Sequence, residues 1–217
     1  LQSLPIWLAS DLIRWQGEKN AEIIAKASNN SPACDLRVNR ILSTPEKLQK
    51  EFTAVGIESV RIDGCPDGLQ ITQSCGDLSN LPGYTEGFWS VQDRSAQWVS
   101  PLLDVKPGEH VLDACAAPGG KATHIAELLG NAGEVWAVDR SRRRLKLASL
   151  NAARLRCSCL NFLVADSASL LDVKPLWKGY FQKIILDAPC SGLGTLARHP
   201  DARWRVTSKM INELVEL

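Results

Sequence analysis

The sequence predicts an α/β fold: a small α+β unit followed by a parallel sheet with helices between its strands. Three observations carry this. Downstream of Leu81-Pro82-Gly83-Tyr84, apolar strand-like runs alternate with helical ones, the signature of a parallel sheet. The glycine-rich stretch Asp113-Ala-Cys-Ala-Ala-Pro-Gly-Gly-Lys121 follows the apolar run Glu109–Leu112. Asp187-Ala-Pro-Cys190 follows a second such run, Lys183–Leu186. Both motifs lie where a parallel sheet places its chemistry, just past the carboxyl end of a strand.

The elements follow in order. Over residues 1–33, Trp7, Leu8, Leu12 and Trp15 recur at helical spacing, as do Ile23, Ile24 and Ala27, so two short helices are expected with the tryptophans in the core. Cys34–Arg40 alternates polar and apolar residues and reads as a half-buried strand. Ser43-Thr44-Pro45-Glu46 supplies a cap, an early proline and an acid, and starts a helix that runs to Val55 and stops at Gly56. Glu58–Ile62 and Leu69–Ile71 read as strands joined by the turn Asp63–Gly68. After the boundary at residue 83, Ser95–Leu103 reads as a lead-in helix and Pro107-Gly108 as a turn. The strands of the sheet are expected at Glu109–Cys115, Glu134–Asp139, Leu160–Asp166 and Phe181–Asp187. Helices are expected at Ala122–Leu129 and Ser141–Leu155, the second burying Leu145, Ala148, Ala152 and Leu155.

Composition narrows the class. Hydrophobic residues at 45% and charged residues at 23% are ordinary for a soluble globular chain. No apolar run approaches the roughly 20 residues that span a bilayer, and the N-terminus lacks the pattern of a secretory signal. A cytoplasmic chain is expected. The seven cysteines lack paired metal-ligand spacing, Cys157 and Cys159 making only a C-x-C, so reduced thiols and no metal site are expected. A net charge of +1 neither favours nor excludes nucleic acid. Two basic clusters stand out: Arg140, Arg142, Arg143, Arg144 and Lys146, then Arg198, His199, Arg203 and Arg205. The first reads equally well as a solvated helix face; the second, just after Cys190, is the better candidate for phosphate.

Pro118-Gly119-Gly120 lets backbone approach a ligand closely, and the helix beginning there offers free N–H groups, with Lys121 adding a charge. A phosphate-binding P-loop would need G-x-x-x-x-G-K-[ST]; Cys115 and Ala122 occupy its first and last positions. The G-x-G-x-x-G of a dinucleotide site is also missing. Asp139 follows Gly120 by 19 residues, suiting ribose hydroxyls, and Asp166 ends the next strand, suiting an adenine amino group. An adenosine-bearing ligand with a carboxylate tail and no phosphate fits: S-adenosylmethionine. A lone strand-end aspartate would more often cap a loop, but Asp139, Asp166 and Asp187 stand in register with the glycine turn.

At Asp187-Ala-Pro-Cys190 the residue types suit pyrimidine chemistry. A thiolate adding to C6 turns C5 into a nucleophile, and a neighbouring carboxyl group supports the addition at N3. A paired base must first leave its duplex. Together, Asp113–Lys121, Asp139, Asp166 and Asp187-Ala-Pro-Cys-Ser-Gly-Leu-Gly-Thr195 resemble the RsmB/NOP/NSUN family of S-adenosylmethionine-dependent RNA cytosine-5 methyltransferases. Arg198-His-Pro-Asp201, Trp204, Leu4-Pro5-x-Trp7-Leu8, Leu36-Arg37-Val38-Asn39-Arg40, Leu81-Pro82-Gly83-Tyr84 and Val91-Gln92-Asp93-x-Ser95-Ala96-Gln97 extend the resemblance over essentially the whole chain, closest to the bacterial ribosomal RNA branch.

That resemblance implies a Rossmann-like methyltransferase domain over residues 84–217, preceded by an RRM-like α+β subdomain over residues 1–83 that helps hold RNA. It implies that Cys115, Ala116, Ala117, Pro118, Gly119, Gly120, Lys121, Asp139, Asp166 and Asp187 line the cofactor site, with Asp187 also facing the cytosine. In this family the attacking cysteine belongs to a later Thr-Cys motif, and the residue matching Cys190 assists release of methylated RNA. No Thr-Cys dipeptide occurs among the 217 residues. The chain is therefore expected to be a central piece with an incomplete sheet, a monomer that binds ribosomal RNA. Two alternatives stay open: a non-catalytic cofactor- and RNA-binding module, and attack by Cys190 itself, as the Pro-Cys of DNA cytosine-5 methyltransferases does.

Overall fold

The structure, a computed structural model, describes residues 2–216. The chain opens with helix α1 (Ile6–Ala27), interrupted at Gly17, which takes φ 75° and ψ 161°. Strand β1 (Cys34–Val38) leads into α2 (Pro45–Ala54), where the Thr44 hydroxyl accepts from the Lys47 amide as the N-cap. β2 (Ser59–Arg61), β3 (Gly68–Ile71) and β4 (Trp89–Val91) complete an antiparallel sheet in the order β2-β3-β1-β4. This is the strand order of a ferredoxin-like βαββαβ unit. Its core is Leu36, Val38, Leu48, Phe52, Leu69, Ile71 and Trp89. β4 pairs Leu36, Arg37 and Val38 with Val91, Ser90 and Trp89, so this sheet takes a strand from beyond residue 83.

Helix α3 (Arg94–Gln97) and a 3₁₀ turn at Ser100–Leu103 replace the single lead-in helix expected at 95–103. Asp93 caps α3 on the Ser95 amide, and Pro101 has no N–H with which to continue the helix from Gln97. Then come β5 (His110–Asp113), α4 (Gly120–Leu128), β6 (Glu134–Asp139), α5 (Arg142–Arg154), β7 (Leu160–Val164), α6 (Leu170–Val173) and β8 (Lys183–Ile185). Every pairing is parallel, in the order β7-β6-β5-β8. The strand order reverses at β5, and the crevice outside the carboxyl ends there is where open α/β sheets bind ligands. Leu145, Ala148, Ala152 and Leu155 are all buried, as the periodicity predicts. β8 ends the order of the described strands, with Ile184 within it and Leu186 just after it exposed. Burying Val111, Ile125, Leu129, Val135, Leu155 and Ile185 fixes β5 between its neighbours, at about 1.5–3 kcal/mol for each large side chain.

The chain divides into two compact units: Ala33–Ala188, and the residues up to Pro32 with those from Pro189 on. Both sheets lie in the first unit, while in the second Leu4, Leu8 and Ala25 pack with Leu196, Ala202 and Val206. The second unit adds α7 (Ala202–Arg205) and α8 (Ser208–Val215). Arg203 is 4% exposed and donates to Asn29 Oδ1 at 2.8 Å and the Ser28 carbonyl at 3.2 Å, at the end of α1. It is thus a structural cation at a helix C-terminus, withdrawn from the basic cluster in which the sequence places it. Trp15, expected in the core, is a surface residue at 62% exposure. No helix among the described residues is long and apolar enough to cross a membrane.

Candidate active site

Asp113 is the last residue of β5, and the chain then turns over the sheet through residues 114–119 to enter α4. The turn is laced to its neighbours. The Ala114 amide donates to the Ile185 carbonyl at 3.0 Å and the Ala116 amide to the Val138 carbonyl at 2.8 Å. The Ser167 hydroxyl donates to the Ala114 carbonyl. Gly119, the N-cap of α4, has φ 98°, and a Cβ there would lie 2.7 Å from the Ala148 Cβ. Both the left-handed backbone and the contact with α5 require glycine. Gly120 opens α4 with no such constraint: a Cβ added there would meet nothing nearer than Gln92 Nε2 at 3.7 Å.

Asp139 ends β6 and braces this turn: its Oδ2 accepts from the Ala117 amide at 3.1 Å and its Oδ1 from the Ser141 amide at 2.8 Å. Arg144 holds the other side of the same residue, donating from Nη2 to the Ala117 carbonyl at 2.5 Å. Arg144 is a site-shaping residue that the sequence marks only as part of a basic cluster. Its signal is local: Ser141 caps α5 on the Arg144 amide, which points that side chain back toward β6.

Asp113 is 1% exposed, and neither of its carboxylate oxygens has a hydrogen-bond partner. Burial pushes its carboxyl up to about 7; the nearby Cys115 amide, outside hydrogen-bond geometry, and the Lys121 ammonium oppose this, while Asp187 and Asp139 add to it. Burial also raises the half-buried Cys115 thiol, with the charges of Asp139, Asp113 and Asp187 acting in the same sense. Across the crevice, Lys121 Nζ donates to Asp187 Oδ2 at 2.5 Å. Asp166, beyond β7, accepts from the Ala168 amide at 3.0 Å and pairs with Arg140 at 3.0 Å; the amide bond first, then Arg140, holds its carboxyl low.

The structure therefore gathers Asp113, Cys115, Ala116, Ala117, Pro118, Gly119, Gly120, Lys121, Asp139 and Asp187 at the tips of β5, β6 and β8, with Asp166 at the tip of β7. Cys190 is an exposed free thiol in the other unit. Chemically, with Arg140 engaged by Asp166 and Arg144 by the Ala117 carbonyl, the carboxylates of Asp113, Asp139 and Asp187 suit a cationic group on a small ligand, and the head of α4 beside Lys121 suits a carboxylate on that ligand. Arg37, which the sequence marks only within Leu36–Arg40, forms a buried ion pair at 2.7 Å with Glu127 that backs this turn; the pairing itself has no sequence signal, because 90 residues separate the two.

Known proteins resemble this chain over nearly its whole length. Residues 100–217 match the model of the 16S rRNA methyltransferase RsmB/F family, and residues 4–76 match that of the RsmF/B-like ferredoxin-like domain. The probable ribosomal RNA small subunit methyltransferase B of Synechocystis sp. is 38% identical over 215 residues, covering 99% of this chain and 48% of that protein. The ribosomal RNA small subunit methyltransferase B of Pseudomonas syringae pv. tomato is 38% identical over 203 residues, covering 92% and 43%. The chain spans about half the length of these curated relatives. Among solved structures, PH0851 superposes with a TM-score of 0.93 at 31% identity, over 99% of this chain and 48% of that one.

Proposed function

The chain belongs to the 16S rRNA methyltransferase RsmB/F family, and from that premise we propose that it binds S-adenosylmethionine at the tips of β5, β6 and β8. In this reading it serves methyl transfer to C5 of a cytosine in small-subunit ribosomal RNA. One observation carries the cofactor reading: the buried, unpartnered carboxylate of Asp113 beside Asp139 and Asp187. Such a group calls for a cation. S-adenosylmethionine presents an ammonium and a sulfonium against one carboxylate, so its net charge complements the site.

Lys121 and the amides at the head of α4 take the ligand carboxylate. Asp139 and Asp166 each hold backbone amides and keep further lone pairs for ribose hydroxyls and the adenine amino group. When bound, the cofactor supplies the electrophilic methyl group. Asp187 faces the cytosine ring, with Lys121 fixing its carboxylate. Cys190 serves as the accessory thiol in release of methylated RNA. Residues 1–83 contribute RNA contacts, residues 84–217 the cofactor domain, and the protein works as a cytoplasmic monomer on ribosomal RNA.

Calorimetric titration of the folded chain with S-adenosylmethionine tests this, with Asp139→Ala as the control that should lose binding. Absence of binding by folded wild-type protein sinks the reading. Transfer of a labelled methyl group to small-subunit ribosomal RNA then tests the reaction. Binding without transfer by these 217 residues fits either the cofactor-binding part of a methyltransferase or the second reading, a non-catalytic module.

A further inference from the structure

We infer that Arg37, a residue of the ferredoxin-like sheet, is the positioning residue for the glycine turn at the head of α4. The inference rests on the cofactor reading above. Arg37 lies on β1, one of the two central strands of its sheet, and is 1% exposed. A guanidinium has five N–H donors in a fixed plane, and each of the five has an acceptor here. Nε donates to Glu127 Oε2 at 3.0 Å, and one Nη2 hydrogen to Glu127 Oε1 at 2.7 Å. The other Nη2 hydrogen goes to Thr123 Oγ1 at 3.1 Å, and Nη1 donates to the Gly120 carbonyl at 2.8 Å and to Gln92 Oε1 at 2.5 Å.

The two halves of this network differ in what they do. The forked pair neutralises two buried charges, Arg37 on β1 and Glu127 near the end of α4. The remaining bonds converge on the helix head. Thr123 Oγ1 passes its own hydrogen to the Gly119 carbonyl at 2.9 Å, and Gln92 Nε2 reaches the Gly120 carbonyl at 3.4 Å. Charge neutralisation alone would leave these carbonyls with their ordinary helical partners, as the Thr123 amide is to Gly119 at 2.9 Å. With the sideways donors added, the tilt of the turn is set from β1, an element that contributes no side chain to the ligand face.

Positioning and fold support can be separated. Replacing a buried ion pair by apolar side chains of similar volume is often neutral or stabilising. The double variant Arg37→Met/Glu127→Leu therefore retains folding while deleting every bond from residue 37 to Gly120 and Thr123. Calorimetry with S-adenosylmethionine on the full chain, beside a thermal melt, is expected to show an unchanged or higher Tm and about tenfold weaker binding. Wild-type affinity in the folded double variant overturns the inference. Should that variant fail to fold, Arg37→Lys decides: it keeps the charge against Glu127 but, as a point charge, loses the fork to Gly120 and Thr123. Weakened binding supports the inference and wild-type binding overturns it. If the wild-type chain binds no S-adenosylmethionine, the cofactor reading fails, and hydrogen exchange of the Thr123 amide settles the positioning role separately. Faster exchange at that amide in Arg37→Lys, with the Leu145 amide of α5 unaffected, upholds the role; unchanged exchange at Thr123 refutes it.

Discussion

Lys121 and Asp187 meet at 2.5 Å across the crevice between the head of α4 and the tip of β8. The pair joins the two motifs that the sequence singles out, 66 residues apart. With Asp187 at 58% side-chain exposure, the pair adds little to folding, since exposed ion pairs contribute about 0–1 kcal/mol.

Lys121→Met should therefore leave the melting temperature within a few degrees of wild type while weakening S-adenosylmethionine binding about tenfold, through loss of the partner for the ligand carboxylate. Parallel melts and calorimetry check this. A large loss of stability would show that the pair is a structural strut.

Asp113 makes stability depend on pH. Unfolded, its carboxyl loses its proton near 3.8; folded, near 7. Between those values the folded chain holds the extra proton, so stability is fully present below the lower value and declines as pH rises through the upper one, by on the order of 4 kcal/mol in total. Asp113→Asn removes that component. Urea midpoints at acid and at mildly alkaline pH should fall more steeply for wild type than for the variant, and identical slopes would refute the assignment.

The two adjacent glycines should respond differently. Gly119→Ala meets both φ 98° and a Cβ contact of 2.7 Å with Ala148 on α5, and should lose about 2–4 kcal/mol. Gly120→Ala, with 3.7 Å of clearance, should change stability by less than about 1 kcal/mol. Chemical denaturation of both variants distinguishes them; equal losses would mean that the turn is not held as described.

Much of this is legible along the chain. The strands of the parallel sheet announce themselves as apolar runs, and the acids at their tips as Asp113, Asp139, Asp166 and Asp187, because burial and turn chemistry act on neighbouring residues. β4 escapes notice because three residues, Trp89–Val91, are too few to show alternation. Trp15 is expected in the core because periodicity marks an apolar stripe without saying what covers it. Arg203 reads as a phosphate contact because charge reports nothing of burial. The bracing of Ala117 by Asp139 and Arg144, and of Gly120 by Arg37, depends on tertiary contacts that no window of sequence contains.

Burial holds the carboxyl of Asp113, at the end of β5, well above the usual carboxylate range. A cationic guest that favours its ionised form draws protons off it into solution on binding near neutral pH. The heat of complexation will then vary with the ionisation enthalpy of the buffer, tris and phosphate giving different apparent values for the same event.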